Sequence, residues 1–313
     1  MIQVSLKKRY LLPVVMLVAT AGCDRPDTGA IVVDSANKDS RVAVVVIHHT
    51  SEDFKRSLDI LTEPSDRPVS SHYLLPEPGD STYSGNQLKV HELVPENQRA
   101  WHAGSSYWKG LAKLNNISIG IELVNQTYCH RPESMPDSIN SDWPQESICF
   151  YPDFAESQIE MLIELLDGIV DRHTEVKPTH IIGHSDIAPQ RKIDPGPRFP
   201  WQRLYKLGYG AWYNDETVIR YWQQFQQQMP SLALLQQALH TYGYKIEQTG
   251  HADEQTRNVL RAFQMHFLPW RVTGQADVDT AAVLYALIEK YYEPELGALL
   301  SVGAEISENT IKE

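Results

Sequence analysis

An α/β fold, in which a mixed central sheet is covered by helices and followed by a small three-helix unit, is predicted by three observations. Two β-branched runs, Arg41 to Ile47 (RVAVVVI) and Ile117 to Val124 (ISIGIELV), read as strands buried on both faces. From Glu156 to Arg172 the residues Ile159, Leu162, Ile163, Leu166, Ile169 and Val170 recur at three- and four-residue spacing, which makes the apolar stripe of a helix laid on a sheet. After residue 210 the strand runs stop and Gln, Leu and Ala take over.

In chain order, Lys7, Lys8 and Arg9 precede an apolar run from Tyr10 to Val18 and the small residues Ala19 to Gly22 before Cys23. That run is too short to span a bilayer and has the shape of a secretory signal. Small residues directly before a cysteine resemble a bacterial lipoprotein signal. Residues 1–22 are therefore expected to be removed and Cys23 lipidated, giving a periplasm-facing envelope protein with a membrane partner. Asp24 resembles an inner-membrane retention signal of some enteric bacteria; the choice of inner or outer membrane stays open. Loss of residues 1–22 removes three basic and no acidic residues, moving the net charge from −12 to −15. This acidity argues against nucleic acid as a partner.

Residues 23–40 are polar and small, a tether. A domain over 41–209 follows, with further strands expected at Val69 to Leu75 and His180 to Ile182. Cys129 and Cys149 bracket a Pro-, Ser- and Asp-rich stretch and are expected to pair in an oxidising periplasm, which is worth about 3 kcal/mol in chain entropy. Helical spacing then recurs over Leu232 to Tyr242, Asp253 to Phe267 and Asp277 to Tyr292, with Asp253 and Asp277 placed as N-caps. These helices make a domain over 230–293, and 294–313 reads as a frayed acidic tail. A monomer is expected.

The chemistry lies in the segment from Ile181 to Pro197. An apolar run ends in His184, and a Pro-bounded loop returns Asp194 toward it. Imidazole and carboxylate are zinc ligands, so the loop reads as half of a catalytic zinc site; the alternative is a loop whose His and Asp bond only each other. A third ligand is needed, and His48, His49 and His102 are candidates. Neighbouring strand residues alternate faces, so His48 and His49 cannot both serve. Glu122 stands alone in an apolar strand, where desolvation raises a carboxyl pKa toward that of a general base. Lys192 would bring a cation to the same cleft.

The segments Val46 to His48, Ala100 to Gly104 (AWHAG), Ser118 to Glu122 and Gly183 to Pro197 resemble the zinc-dependent N-acetylmuramoyl-L-alanine amidases, which share a fold with peptidoglycan recognition proteins. The resemblance implies one Zn2+ per chain on His48, His184 and Asp194, with Glu122 as base and Lys192 as oxyanion partner. It implies hydrolysis of the amide between N-acetylmuramic acid, intact or 1,6-anhydro, and L-alanine in peptidoglycan or muropeptides. Trp101 and His102 look like substrate-lining residues. The C-terminal helices resemble the peptidoglycan-binding domain of longer, envelope-anchored members, with Phe263 and Met265 read as core. A non-catalytic peptidoglycan-binding lipoprotein is the alternative, and the complete ligand set with Glu122 and Lys192 favours the enzyme. The histidines at 72, 91, 130, 173, 180, 240, 251 and 266 read as structural or surface residues.

Overall fold

The two β-branched runs become neighbouring strands. In the computed structural model, which describes residues 41–130 and 148–300 together with Ile31, Val33, Ala36 and Asn37, β1 (Val44–His49) is followed by α1 (Phe54–Thr62). Next come β2 (Tyr73–Leu75), β3 (His91–Glu92), β4 (Tyr107–Trp108), β5 (Leu111–Ala112) and β6 (Ser118–Leu123). A hairpin of β7 (Tyr128–His130) and β8 (Ile148–Phe150) precedes α2 (Glu156–Arg172). β9 (Ile181–Gly183) runs directly into the short α3 (His184–Ile187), and α4 (Trp201–Lys206) follows. The chain continues in α5 (Asp215–Gln227), α6 (Leu232–Tyr242), α7 (Glu254–Phe267) and α8 (Val278–Tyr291).

The central sheet has the order β3-β2-β6-β1-β9 and is parallel except for the antiparallel edge pair β2 and β3. Its faces are set by alternation. Ile119, Ile121 and Leu123 of β6 enter the main core with Ile159, Leu162, Leu166 and Ile169 of α2. Each such side chain, fully buried, is worth about 1.5–3 kcal/mol. Leu74 and Val124 join Phe54 and Leu61 of α1 in a separate cluster, so α1 covers the opposite face. Glu122 alternates onto that second face. Register pairs it with His48 on β1 and Leu74 on β2.

Several elements differ from expectation. The strand over 69–75 shrinks to Tyr73–Leu75, because Val69 is exposed and follows Pro68. Helices α1 and α5 were not expected; α1 buries Phe54, Ser57 and Leu61, and α5 buries Tyr221 and Phe225. The three helices expected over 230–293 are present as α6, α7 and α8, and α5 precedes them, tied to α8 by Arg220 and Tyr221 on Glu289. The acidic tail begins as structure: residues 293–300 are helical, and Leu296 and Leu299, three apart, enter the core. Residues 301–313 lie outside the described residues, as do 1–22, Cys23 and most of 23–40. Among the described residues no helix is long and apolar enough to cross a membrane. Cys129 and Cys149 face each other across β7 and β8 with their Sγ atoms bonded.

The helical part contains an internal repeat. Buried Gln236 on α6 donates to Thr249 Oγ1, His251 O and Thr256 Oγ1, and accepts from Gly250 N. Buried Gln264 on α7 makes the matching set with Thr273 Oγ1, Gln275 O, Thr280 Oγ1 and Gly274 N. Each glutamine thus organises a Thr-Gly loop that leads to an Asp N-cap, Asp253 or Asp277, whose carboxylate accepts from Thr256 N or Thr280 N.

Candidate functional site

Three strand ends bring the ligand candidates together. β1 carries His48 as its next-to-last residue, β6 carries Glu122 beside it in register, and β9 delivers His184 at the first residue of α3. Asp194 returns on the following loop, where its carbonyl accepts from Ser185 N at 2.8 Å. His48 Nδ1, His184 Nδ1 and Asp194 Oδ2 then form a buried triangle with edges of 2.9, 3.0 and 3.1 Å. Adjacent vertices of a tetrahedral site with bonds of 2.0–2.1 Å lie about 3.3 Å apart, so this donor set fits a zinc-sized cation and leaves a vertex open. His49 stays outside the triangle, with Nδ1 3.4 Å from Ser51 Oγ.

Hydrogen bonds behind the triangle orient the His48 ring. Ser118 Oγ donates its single proton to Leu114 O at 2.7 Å, so it must accept from His102 Nε2 at 3.0 Å. His102 Nδ1 is then bare and accepts from His48 Nε2 at 3.0 Å. His48 Nδ1 is left as a lone pair aimed into the triangle. On the other side, His184 Nε2 lies 3.4 Å from Ala103 O and 3.3 Å from Arg191 Nη2, and the tautomer that donates to Ala103 O turns the Nδ1 lone pair into the triangle. Carbonyls and side chains in this outer position orient metal-binding imidazoles in general.

His102 borders the cleft as expected, and although it is buried its ring nitrogens face His48 Nε2 and Ser118 Oγ, which adds a role in orienting His48. The His102 ring fits only because residue 120 is glycine, where a Cβ would stand 2.4 Å from His102 Cγ. Trp101, next in sequence, is 46% exposed and lines the cleft of about 420 Å³ that opens over the triangle. Its loop is held by paired bonds between the Trp101 backbone and Ser70.

Protonation states suit metal binding. Burial pushes His184 down to about 4 and His102 well below its usual range, so both are neutral at pH 7. Burial alone would raise Asp194, but His184 and His48 outweigh it and hold the carboxyl well below the ordinary value. Burial pushes Glu122 up to about 7, with His48 and Lys192 opposing and Asp194 reinforcing. Glu122 Oε1 is 3.9 Å from His48 Nδ1, while Oε2 is buried with no hydrogen-bond partner among the described residues. Lys192 lines the same cleft.

Residues 38–197 match the family model described as N-acetylmuramoyl-L-alanine amidase. The amidase AmiD of Escherichia coli strain K12 is 42% identical over 253 residues, covering 80% of this chain and 84% of that protein. The chain belongs to the N-acetylmuramoyl-L-alanine amidase family. Residues 228–284 match a second model, a putative peptidoglycan binding domain. Among solved structures, AmpDH3 of Pseudomonas aeruginosa in complex with anhydromuramic pentapeptide superposes with a TM-score of 0.73 at 39% identity, covering 87% of this chain and 99% of that one. Escherichia coli AmiD, in complex with anhydro-N-acetylmuramic acid-L-Ala-D-gamma-Glu-L-Lys, superposes with a TM-score of 0.67 at 39% identity, covering 83% and 93%.

This amidase also uses residues that sequence reading passed over. Ser118 sets the His102 tautomer. Arg191 donates to Ala103 O at 2.5 Å and Ser105 O at 3.1 Å, clamping the loop after His102. Gly104 makes room for that guanidinium, since at its φ of +56° a Cβ would meet Arg191 Nη2 at 2.8 Å. The available signal was Gly120, an isolated glycine in a strand, which marks a close approach.

Proposed function

We propose that this amidase uses one zinc ion, held by His48, His184 and Asp194, to hydrolyse the amide between N-acetylmuramic acid, including its 1,6-anhydro form, and L-alanine. The observation that carries the reading is the triangle of two bare imidazole nitrogens and a carboxylate oxygen beside Glu122, whose Oε2 has no partner among the described residues. The anhydromuramyl peptides bound by the two structural relatives support the substrate class.

Bound there, zinc would polarise the scissile carbonyl and lower the pKa of a water toward about 7. Glu122, desolvated and poised near neutrality, takes the proton of the attacking water on its unpartnered Oε2 and passes it to the leaving amine of L-alanine. Lys192 counters the charge that develops on the carbonyl oxygen. Trp101 offers an exposed aromatic face to the sugar or peptide.

The sequence around Cys23 supports a further part of the proposal: removal of 1–22, lipidation of Cys23, and a periplasm-facing place in the cell envelope, at either membrane. The first test is mass spectrometry of muropeptides incubated with the protein, with and without chelator, beside Glu122→Ala. Free stem peptides with an L-alanine amino terminus, lost in both controls, are expected. Cleavage within the stem would instead indicate an endopeptidase, and intact muropeptides that still bind would indicate a recognition module.

A further inference from the structure

We propose that the helical module is a positioning part of the metal site, through a buried clamp of Asp186, Tyr244 and His266 that holds the end of β9 where His184 begins. Asp186 is 1% exposed. Its Oδ2 accepts from Gly183 N at 2.8 Å and from His266 Nδ1 at 2.8 Å, and its Oδ1 accepts from Tyr244 OH at 2.5 Å. Gly183 and Asp186 flank His184, so this one carboxylate joins the ligand's own short helix to two segments of the helical module.

Both donors are themselves locked. Tyr244, just beyond α6, is fully buried against Trp108, with ring centroids 5.0 Å apart and planes at 78°. Trp108 is in turn fixed by donation from Nε1 to Thr179 O at 2.9 Å. His266, on α7, stacks on Trp201 with centroids 3.9 Å apart. Farther along the same loop, Asn258 of α7 donates to Gln190 Oε1 at 3.1 Å, and Gln190 Nε2 donates to Gln255 O at 3.2 Å. The module therefore grips the segment between His184 and Asp194 at two points.

A buried carboxylate that loses a donor must move or recruit another. Asp186 sits on α3, four residues long, which starts with His184, so a carboxylate that moves carries the ligand's own helix with it. Partners that orient a ligand directly are worth about 10–100-fold in metal affinity, and a support one bond farther out is expected to be worth about 3–10-fold.

The test rests on the zinc reading above and uses the full chain, titrated with zinc against a chromophoric chelator, beside thermal unfolding of the metal-free protein. His266→Phe keeps a ring against Trp201 and removes the donor, His266→Asn keeps a donor near the Nδ1 position, and Tyr244→Phe removes one oxygen. Zinc affinity is expected to fall about 3–10-fold in Tyr244→Phe and His266→Phe and to recover in part in His266→Asn. Should His266→Phe fail to fold, Tyr244→Phe decides the matter alone. Lower thermal stability with zinc affinity within twofold of the parent would mean a purely structural contact and overturn the proposal. A parent chain that takes up no zinc would overturn the metal reading itself.

Discussion

Glu122 carries opposite demands at the scale of a single residue. Its folded carboxyl sits at about 7, above the ordinary 4.5, so the folded metal-free chain holds a proton that the unfolded chain has released. Its contribution is intact below 4.5, is lost as pH rises toward 7, and leaves a cost of about 3 kcal/mol above that. With metal removed by chelation, Glu122→Gln is expected to melt higher than the parent at pH 8 and to match it near pH 4; assayed with zinc present, its hydrolysis is expected to fall about 100-fold or more. A variant that melts lower at pH 8 would show that the carboxylate is better solvated than its burial implies. Ser118→Ala removes the acceptor that fixes the His102 tautomer, and zinc affinity in a chelator competition is expected to weaken about 10-fold. His48, Glu122, His184 and Asp194 stood out in the sequence because polar groups ending or interrupting apolar strands are rare. The role of His102 in orienting His48 was hidden, because it depends on Ser118 two strand positions before Gly120 and on the proton order of three side chains.

The helices read from the sequence were those rich in Leu and Ala or set on a long stripe, and the Gln-rich α5, which carries Val218, Tyr221 and Phe225 at helical spacing, was passed over. α2 and the helices α6 to α8 follow their apolar spacing, and the caps at Asp253 and Asp277 sit where a short polar residue precedes the stripe. α5 buries Tyr221 and Phe225 and draws the rest of its hold from Arg220 and Tyr221 on Glu289, contacts invisible without α8. The Gln236 and Gln264 repeat was likewise hidden, because its two halves separate the glutamine from its loop by different lengths. Gln264 is fully buried and serves the backbone N–H of Thr273 and Gly274 as well as three acceptors. Gln264→Leu keeps the volume, strands those groups, and is expected to cost about 2–3 kcal/mol in chemical denaturation. A cost below about 0.5 kcal/mol would mean that water replaces the amide.

For the whole molecule, the question is whether the sheet and the helices behave as one body. Two domains joined by a linker would each close their own core, whereas here one apolar cluster runs from Val44 and Ile121 of the sheet through Trp108 to Tyr242, Phe263 and Leu284. The β4 and β5 hairpin is the wedge. Trp108 is 1% exposed and lies so close to Gly243 that a Cβ there would stand 2.9 Å from the indole, while Lys109 N donates to Gly243 O at 2.9 Å. Trp108→Ala would open a cavity at that junction and is expected to cost about 3–5 kcal/mol. The parent is expected to unfold in a single calorimetric transition, because neither part can expose its side of the shared core while the other stays folded. Trp108→Ala is expected to split that transition or to lower it as a whole, and two well-separated peaks in the parent would show that the helical part folds apart from the sheet. One transition in the parent makes the metal loop and the helices a single cooperative unit, the condition under which contacts made by α7 can be felt at His184.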